Sequence, residues 1–106
     1  VTDYKLLEYA AKAAGIDGEH SVNTSGSWVF KTPKTPNWNP LIDDGDALRL
    51  AVKLGILIDT SGGSVNVQYI VQNSSWPINE YEFDNIYSAT RRAIVRAAAE
   101  IGKAMP

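Results

Sequence analysis

The chain contains no cysteine. Disulfides, thiolate catalysis, cysteine zinc sites and iron–sulfur clusters are therefore excluded. Its one histidine, His20, cannot build a two-histidine metal motif within one chain. No apolar run approaches the ~18 residues of a membrane span. The opening Val1-Thr2-Asp3 has none of the basic-then-apolar character of a secretory leader, so neither export nor a membrane partner is expected. The sequons Asn23-Thr24-Ser25 and Asn73-Ser74-Ser75 are accordingly read as polar loop. Charge of one sign is also lacking. Ten Lys and Arg against twelve Asp and Glu leave a net charge of −2, which argues against a nucleic-acid or polybasic membrane binder.

What is present suits one folded unit. A chain of 106 residues fits a single domain spanning 1–106. Size scaling gives about 6,000 Å² exposed when folded against about 17,000 Å² unfolded, enough burial for a core without a covalent or metal staple. Apolar residues at 44% and charged residues at 21% lie near globular averages.

Three helices are legible. The first runs from an N-cap at Thr2, with Leu6, Leu7, Ala10, Ala11 and Ala14 at helical spacing. It stops at Ala14-Gly15-Ile16, where Gly15 takes the left-handed position and Ile16 folds back in a Schellman motif. The second starts at Asp43, with Asp46 reaching back as in a capping box. Its apolar stripe is read as Ala47, Leu48, Ala51, Val52 and Leu54, and it ends at Leu54-Gly55-Ile56. The third starts between Glu80 and Asp84 and runs to about Lys103, burying Ile86, Ala89, Ala93, Ile94, Ala97, Ala98 and Ile101. Val65, Val67, Tyr69 and Val71 alternate with Asn66, Gln68, Ile70 and Gln72 as a half-buried strand. Ile56 to Asp59 is its hairpin partner across Thr60-Ser61-Gly62-Gly63-Ser64, and Trp28-Val29-Phe30 is a third, shorter strand. The segment 31–40, holding Pro33, Pro36 and Pro40, is an extended loop. The expected class is α+β, a small, mainly antiparallel sheet with three helices packed around it.

The stretch from Trp38-Asn39-Pro40 through Asp43-Asp44-Gly45-Asp46 to Gly55-Ile56, with Asp3 to Leu7 and Ala89 to Ile101, resembles the phage α-β-α (ABA) sandwich domain family. The likeness covers nearly the whole chain. Its most specific part is Trp-Asn-Pro followed by an Asp/Gly-capped helix ending in Gly-Ile. The resemblance implies a phage or prophage accessory protein acting in the host cytoplasm, and it brings no catalytic residue with it.

Candidate site residues divide by chemistry. Asp43, Asp44 and Asp46 form the densest carboxylate cluster, but an EF-hand needs a Glu at its twelfth position, and Leu54 stands there. Capping and the helix dipole account for all three. Arg91, Arg92 and Arg96 place three of the four arginines on one helix. A guanidinium fork suits phosphates and carboxylates, while helical pairing to Glu100 is the ordinary alternative. Trp38 in the proline-rich loop and Trp76 just before Pro77 are candidate stacking surfaces, whereas Trp28 is read as core. His20 is placed in a loop, Asp17 to Ser21, for which the sequence supplies no Ser–His–Asp geometry. Ser61-Gly62-Gly63-Ser64 lacks the lysine of a P-loop.

The expected function is a non-enzymatic binding protein without cofactor. It would counter host defence by sequestering a small anionic, nucleotide-like signal on Arg91, Arg92 and Arg96 with Trp38 or Trp76, or by blocking a host defence protein. Trp38 lies far from the arginines in sequence, so they act together only if its loop folds over the last helix or a second subunit supplies it, which favours a homodimer or higher oligomer. The alternative is a structural or assembly interaction protein without ligand. A nucleotide hydrolase holding metal on the Asp cluster is the third reading.

Overall fold

The computed structural model describes residues 2–22, 28–31, 38–81 and 85–106, with 19–22 and 28–31 as backbone alone. In chain order the elements are α1 (Asp3–Ala14), β1 (Glu19–Val22), β2 (Trp28–Lys31), α2 (Asp44–Leu54), β3 (Leu57–Asp59), β4 (Ser64–Val71), β5 (Ser74–Tyr81) and α3 (Ile86–Ala104). The class is α+β, with the helices packed around a small antiparallel sheet.

Both Gly-Ile stops are left-handed caps. Gly15 has φ 68° and Gly55 φ 67°. Ile16 N–H donates to Ala11 O at 2.9 Å, and Ile56 N–H to Ala51 O at 3.0 Å. These are the long bonds of a Schellman motif, and they turn each isoleucine back toward the helix it has just left. Thr2 holds the N-cap position of α1 with extended backbone, but its side chain makes no capping bond.

The sheet has the order β3-β4-β5, all antiparallel. The expected β3–β4 hairpin forms, with Ile58 opposite Val67. Strand β5 was not expected. It is joined to β4 by Gln72 (φ 53°) and Asn73 (φ 65°), the two positive φ values of a type I′ turn. The second sequon therefore sits at a hairpin tip and strand start. In a two-residue hairpin the flanking pair is hydrogen-bonded, so Ser75, Pro77 and Asn79 turn their backbone groups to the open edge. Proline there removes no ladder bond and blunts that edge. Consistently, the Asn79 carbonyl accepts from Arg96 Nη1 at 3.2 Å.

Two further expectations are corrected. The segment 28–30 does not join this sheet but pairs with β1, His20 opposite Phe30 and Val22 opposite Trp28, in a separate two-stranded ribbon. His20 thus lies on a strand and not in a loop. On α2 the core residues are Ala47, Leu50 and Ala51, with Leu54 half-buried, while Leu48 and Val52 are exposed. The spacing 47–50–51–54 and the spacing 47–48–51–52 both suit a helix, and packing against α3 selects the first.

Helix α3 begins at Ile86, later than expected, where Asn85 Oδ1 accepts from Tyr87 N–H at 2.8 Å and Ser88 N–H at 3.2 Å. Its buried surface is broader than one stripe, because Val95 and Ala99 join Ala93, Ile94, Ala97 and Ala98. The helix packs on β4 and β5, on α1 and on α2. A single cluster of buried residues includes side chains from all three helices and from β4 and β5. Toward α1 the approach is very close. A Cβ added at Gly102 would stand 2.8 Å from the carbonyl carbon of Tyr9, and nearer still to its oxygen.

That contact reverses the usual helix propensity. In an open helix Gly→Ala is worth about 1 kcal/mol of stabilisation. Here Gly102→Ala should destabilise by about 2 kcal/mol through overpacking against backbone. Gly55→Ala meets no atom and should cost about 1 kcal/mol through its positive φ alone. Urea unfolding of both variants checks the account. A Gly102→Ala protein as stable as the parent contradicts the close approach.

Candidate functional site

The turn leading into α2 is tied down before any cleft can form. Trp38 is 6% exposed and belongs to the core, and Pro40 is fully buried. Between them, Asn39 N–H donates to Asp46 Oδ2 at 3.0 Å, while Asn39 Oδ1 accepts from Leu41 N–H at 2.9 Å. Asp43 caps α2 by accepting from Asp46 N–H at 2.8 Å. The expected reciprocal arm is absent, because the Asp46 carboxylate serves Asn39 and, at 2.8 Å, Arg49. Asp46 is 6% exposed, so this pairing offsets the cost of burying a carboxylate. Asp44 turns the other way, to Arg91. Asp43 and Asp46 thus share Arg49 while Asp44 goes to Arg91, and no group of three or more metal-ligating side chains converges among the described residues.

A cleft of about 510 Å³ opens between the start of α2, β3 and the first turns of α3. Ala47, Leu48, Ile58, Ile86 and Ile94 make its walls largely apolar. Tyr87, Thr90 and Arg91 come from the α3 face that recurs at 86, 87, 90, 91 and 94. Thr90 Oγ1 donates to Ile86 O at 2.7 Å. Arg91 is held in two directions, Nε donating to Leu41 O at 2.9 Å and Nη1 to Asp44 Oδ1 at 2.6 Å. Its side chain is 17% exposed, while that of Asp44 is open to solvent. The cleft lies at the N-terminal end of α3, whose first turn contains no acidic residue. The helix dipole there favours negative charge. Glu82 and Asp84 precede that turn in sequence and lie outside the described residues.

The three arginines do not converge. Arg92 pairs with Asp3 at 3.0 Å, joining α3 to the start of α1. Arg96 pairs with Glu80 at 3.0 Å, joining α3 to β5. Successive helical residues point about 100° apart, so adjacency in sequence separated Arg91 from Arg92. Glu100 is paired with Lys103 at 3.3 Å and Arg96 with Glu80, in place of the expected Arg96–Glu100 pair. Of the five candidate residues, Arg91 alone lines the cleft. Trp38 is in the core of its own chain, which removes the reason for a second subunit to supply it. Trp76 is 52% exposed and lines a different cavity with Tyr69 and Glu100. The side chains of Trp28 and His20 lie outside the described residues. Sequence reading missed Leu48 and Ile58 as cleft residues, and it counted Tyr87 among the many aromatics without singling it out. The signal for Tyr87 was available: Asn85 is a strong N-cap residue, and starting the helix there aligns Tyr87 with Arg91.

No protein-family model, curated protein or solved structure matches this chain.

At the mouth of the cleft, Thr60 is held in a tight turn. Asp59 Oδ1 accepts from Ser61 N–H at 2.9 Å and from Ser61 Oγ at 2.6 Å. The hydroxyl bond first, and the backbone bond second, hold the Asp59 carboxyl below the usual range. A carboxyl lowered on folding adds stability above its unfolded pKa, and that stability is lost as pH falls through the folded value. Ser61→Ala keeps the backbone donor and removes the larger cause. The Asp59 pKa should rise partway toward its ordinary value, as read by carboxyl NMR titration, and an unchanged titration contradicts the turn geometry.

Proposed function

We propose that the chain is a non-enzymatic binding protein of phage or prophage origin, acting in the host cytoplasm, that holds a small anionic, nucleotide-like signal in the cleft between α2, β3 and α3. The origin is supported by the Trp38-Asn39-Pro40 turn, the Asp/Gly-capped helix that follows and the Gly55-Ile56 stop. The binding reading rests on one observation: a largely shielded Arg91 guanidinium lines an apolar cleft at the N-terminal end of α3. Apolar walls and the exposed ring of Tyr87 suit a flat base, and Arg91 suits its phosphate. Asp44 acts as a stand-in anion. It is exposed, so a phosphate displaces it at little cost. Sequestration of a host signal needs no chemistry beyond this, which supports a counter-defence role.

A second reading, a partner-binding protein without small ligand, is favoured by one observation of its own. Leu48 and Val52, one turn apart on α2, expose apolar surface continuous with the cleft. In that case the cleft receives side chains of a host defence or virion protein.

Native mass spectrometry after incubation with adenosine monophosphate and a panel of cyclic nucleotides separates the two. The sequestration reading predicts one retained nucleotide per chain. Tyr87→Ala should weaken its binding by roughly tenfold, the scale of one lost base stack. Asp44→Asn should strengthen binding by freeing Arg91. No retained nucleotide from the panel, or a stronger complex in Tyr87→Ala, overturns it in favour of the partner-binding reading.

A further inference from the structure

The cavity that contains Trp76 has a chemistry opposite to the one expected of this residue. It measures about 350 Å³ and is bounded by Tyr69, Trp76, the β4–β5 hairpin tip and the last turns of α3 at Glu100 and Ala104. Tyr69 and Trp76 are direct partners across the β4–β5 ladder. Directly opposed side chains lie on one face of a sheet, close enough for their rings to touch. That face also holds Val67 and Ile78, which are buried under α3. The two aromatic rings therefore form a shelf where the core opens to solvent, beneath the end of the helix.

The side chains that line this cavity carry charge of one sign only. Glu100 is the one charged residue among the described residues lining it. The face of an aromatic ring carries the negative part of its quadrupole, so a cation can be seated on either ring. Ala104 is the last residue of α3, and a helix C-terminus carries the negative end of its dipole. The Glu100 carboxylate acts on Tyr69: burial first, and that charge second, push its hydroxyl above the ordinary range. An anion placed here meets the Glu100 carboxylate and the helix end unfavourably, whereas a cation meets both favourably and competes with Lys103 on Glu100 and Lys12 on the Met105 carbonyl.

We infer that the cavity bounded by Trp76, Tyr69 and Glu100 binds an organic cation, an alkylammonium or guanidinium group, seated on the indole face with Glu100 as its counter-ion. Aromatic faces attract such cations most strongly where tryptophan supplies the ring. The chain contains its own competitor. Lys103 Nζ lies 3.3 Å from Glu100 Oε1 and 5.6 Å from the centroid of the Tyr9 ring. This pair is exposed on both sides and held weakly, so an incoming cation can share or replace it. The site is separate from the α2–β3–α3 cleft: the two share no lining residue, and they lie at opposite ends of α3.

The test follows the Trp76 indole N–H resonance, assigned with Trp76→Phe, during titration with choline, with a capped Gly-Arg-Gly peptide and with 3,3-dimethylbutanol, the uncharged isostere of choline. Saturable shifts with either cation and none with the alcohol are expected. Tighter binding of choline identifies a free quaternary ammonium ligand, and tighter binding of the peptide identifies a basic side chain of a protein partner. Glu100→Gln should weaken the cation by roughly fivefold, and Lys103→Met should strengthen it, each with an unchanged thermal melt. Equal binding of the alcohol, no saturable shift with either cation, or full affinity in Glu100→Gln overturns the inference. The nucleotide site is read through Tyr87 and Asp44, so failure here leaves that outcome independent.

Discussion

The rest of the fold depends on a close contact made where a side chain is missing. Gly102 lets the backbone of α3 meet the backbone of α1 at Tyr9. Around it, Ala10, Ala11 and Ala14 face a helix whose own buried residues include Ala97, Ala98 and Ala99. Helices lined by small residues approach until dispersion acts between backbones, and such packing tolerates little added volume. With α1 fixed on one side, α3 presents its other buried residues to β4 and β5. The arginines then act as orienting ties. Arg91, Arg92 and Arg96 run from α3 to α2, α1 and β5 respectively. Exposed ion pairs contribute about 0–1 kcal/mol each, so packing supplies the stability and the ties set direction.

A second constraint fixes the turn before α2. Trp38 and Pro40 are buried, and Asn39 joins the buried carboxylate of Asp46. Trp38, Asn39, Pro40 and Asp46 therefore have a structural use: they anchor a loop to the core and set the angle at which α2 leaves it. Asp44 is then directed toward Arg91, and the cleft between α2, β3 and α3 follows from that geometry.

Local chemistry was the legible part of this sequence. The Gly15-Ile16 and Gly55-Ile56 stops, the Asp43 cap and the β3–β4 hairpin each depend on a few adjacent residues, and the structure has all of them. Strand β5 was hidden because Pro77 argues against a strand unless its backbone nitrogen faces an open edge, and because Gln72-Asn73 is not the Asn-Gly pair that usually marks a tight hairpin. Leu48 and Leu50 could not be ranked from periodicity, since only the position of α3 decides which of them is covered. The same limit governs the sites. Arg91, Arg92 and Arg96 form a cluster in sequence and point to three partners in space. Trp38 and Trp76 both stand in proline-containing segments, yet one is core and the other is exposed and lines a cavity.

Helix α3 thus has cavities at both ends, and under the two proposals its dipole favours an anion at the first and a cation at the second. An arginine and the helix N-terminus mark the first, and a carboxylate and the helix C-terminus mark the second. The most direct measurement is a two-dimensional amide NMR spectrum of the unaltered protein, titrated in turn with adenosine monophosphate and with choline. The account predicts that the nucleotide shifts resonances of 44–48, 58–60 and 86–94, while choline shifts those of 69–76 and 100–104. Perturbation of one common set of residues by both probes, or of neither set by its probe, would contradict it.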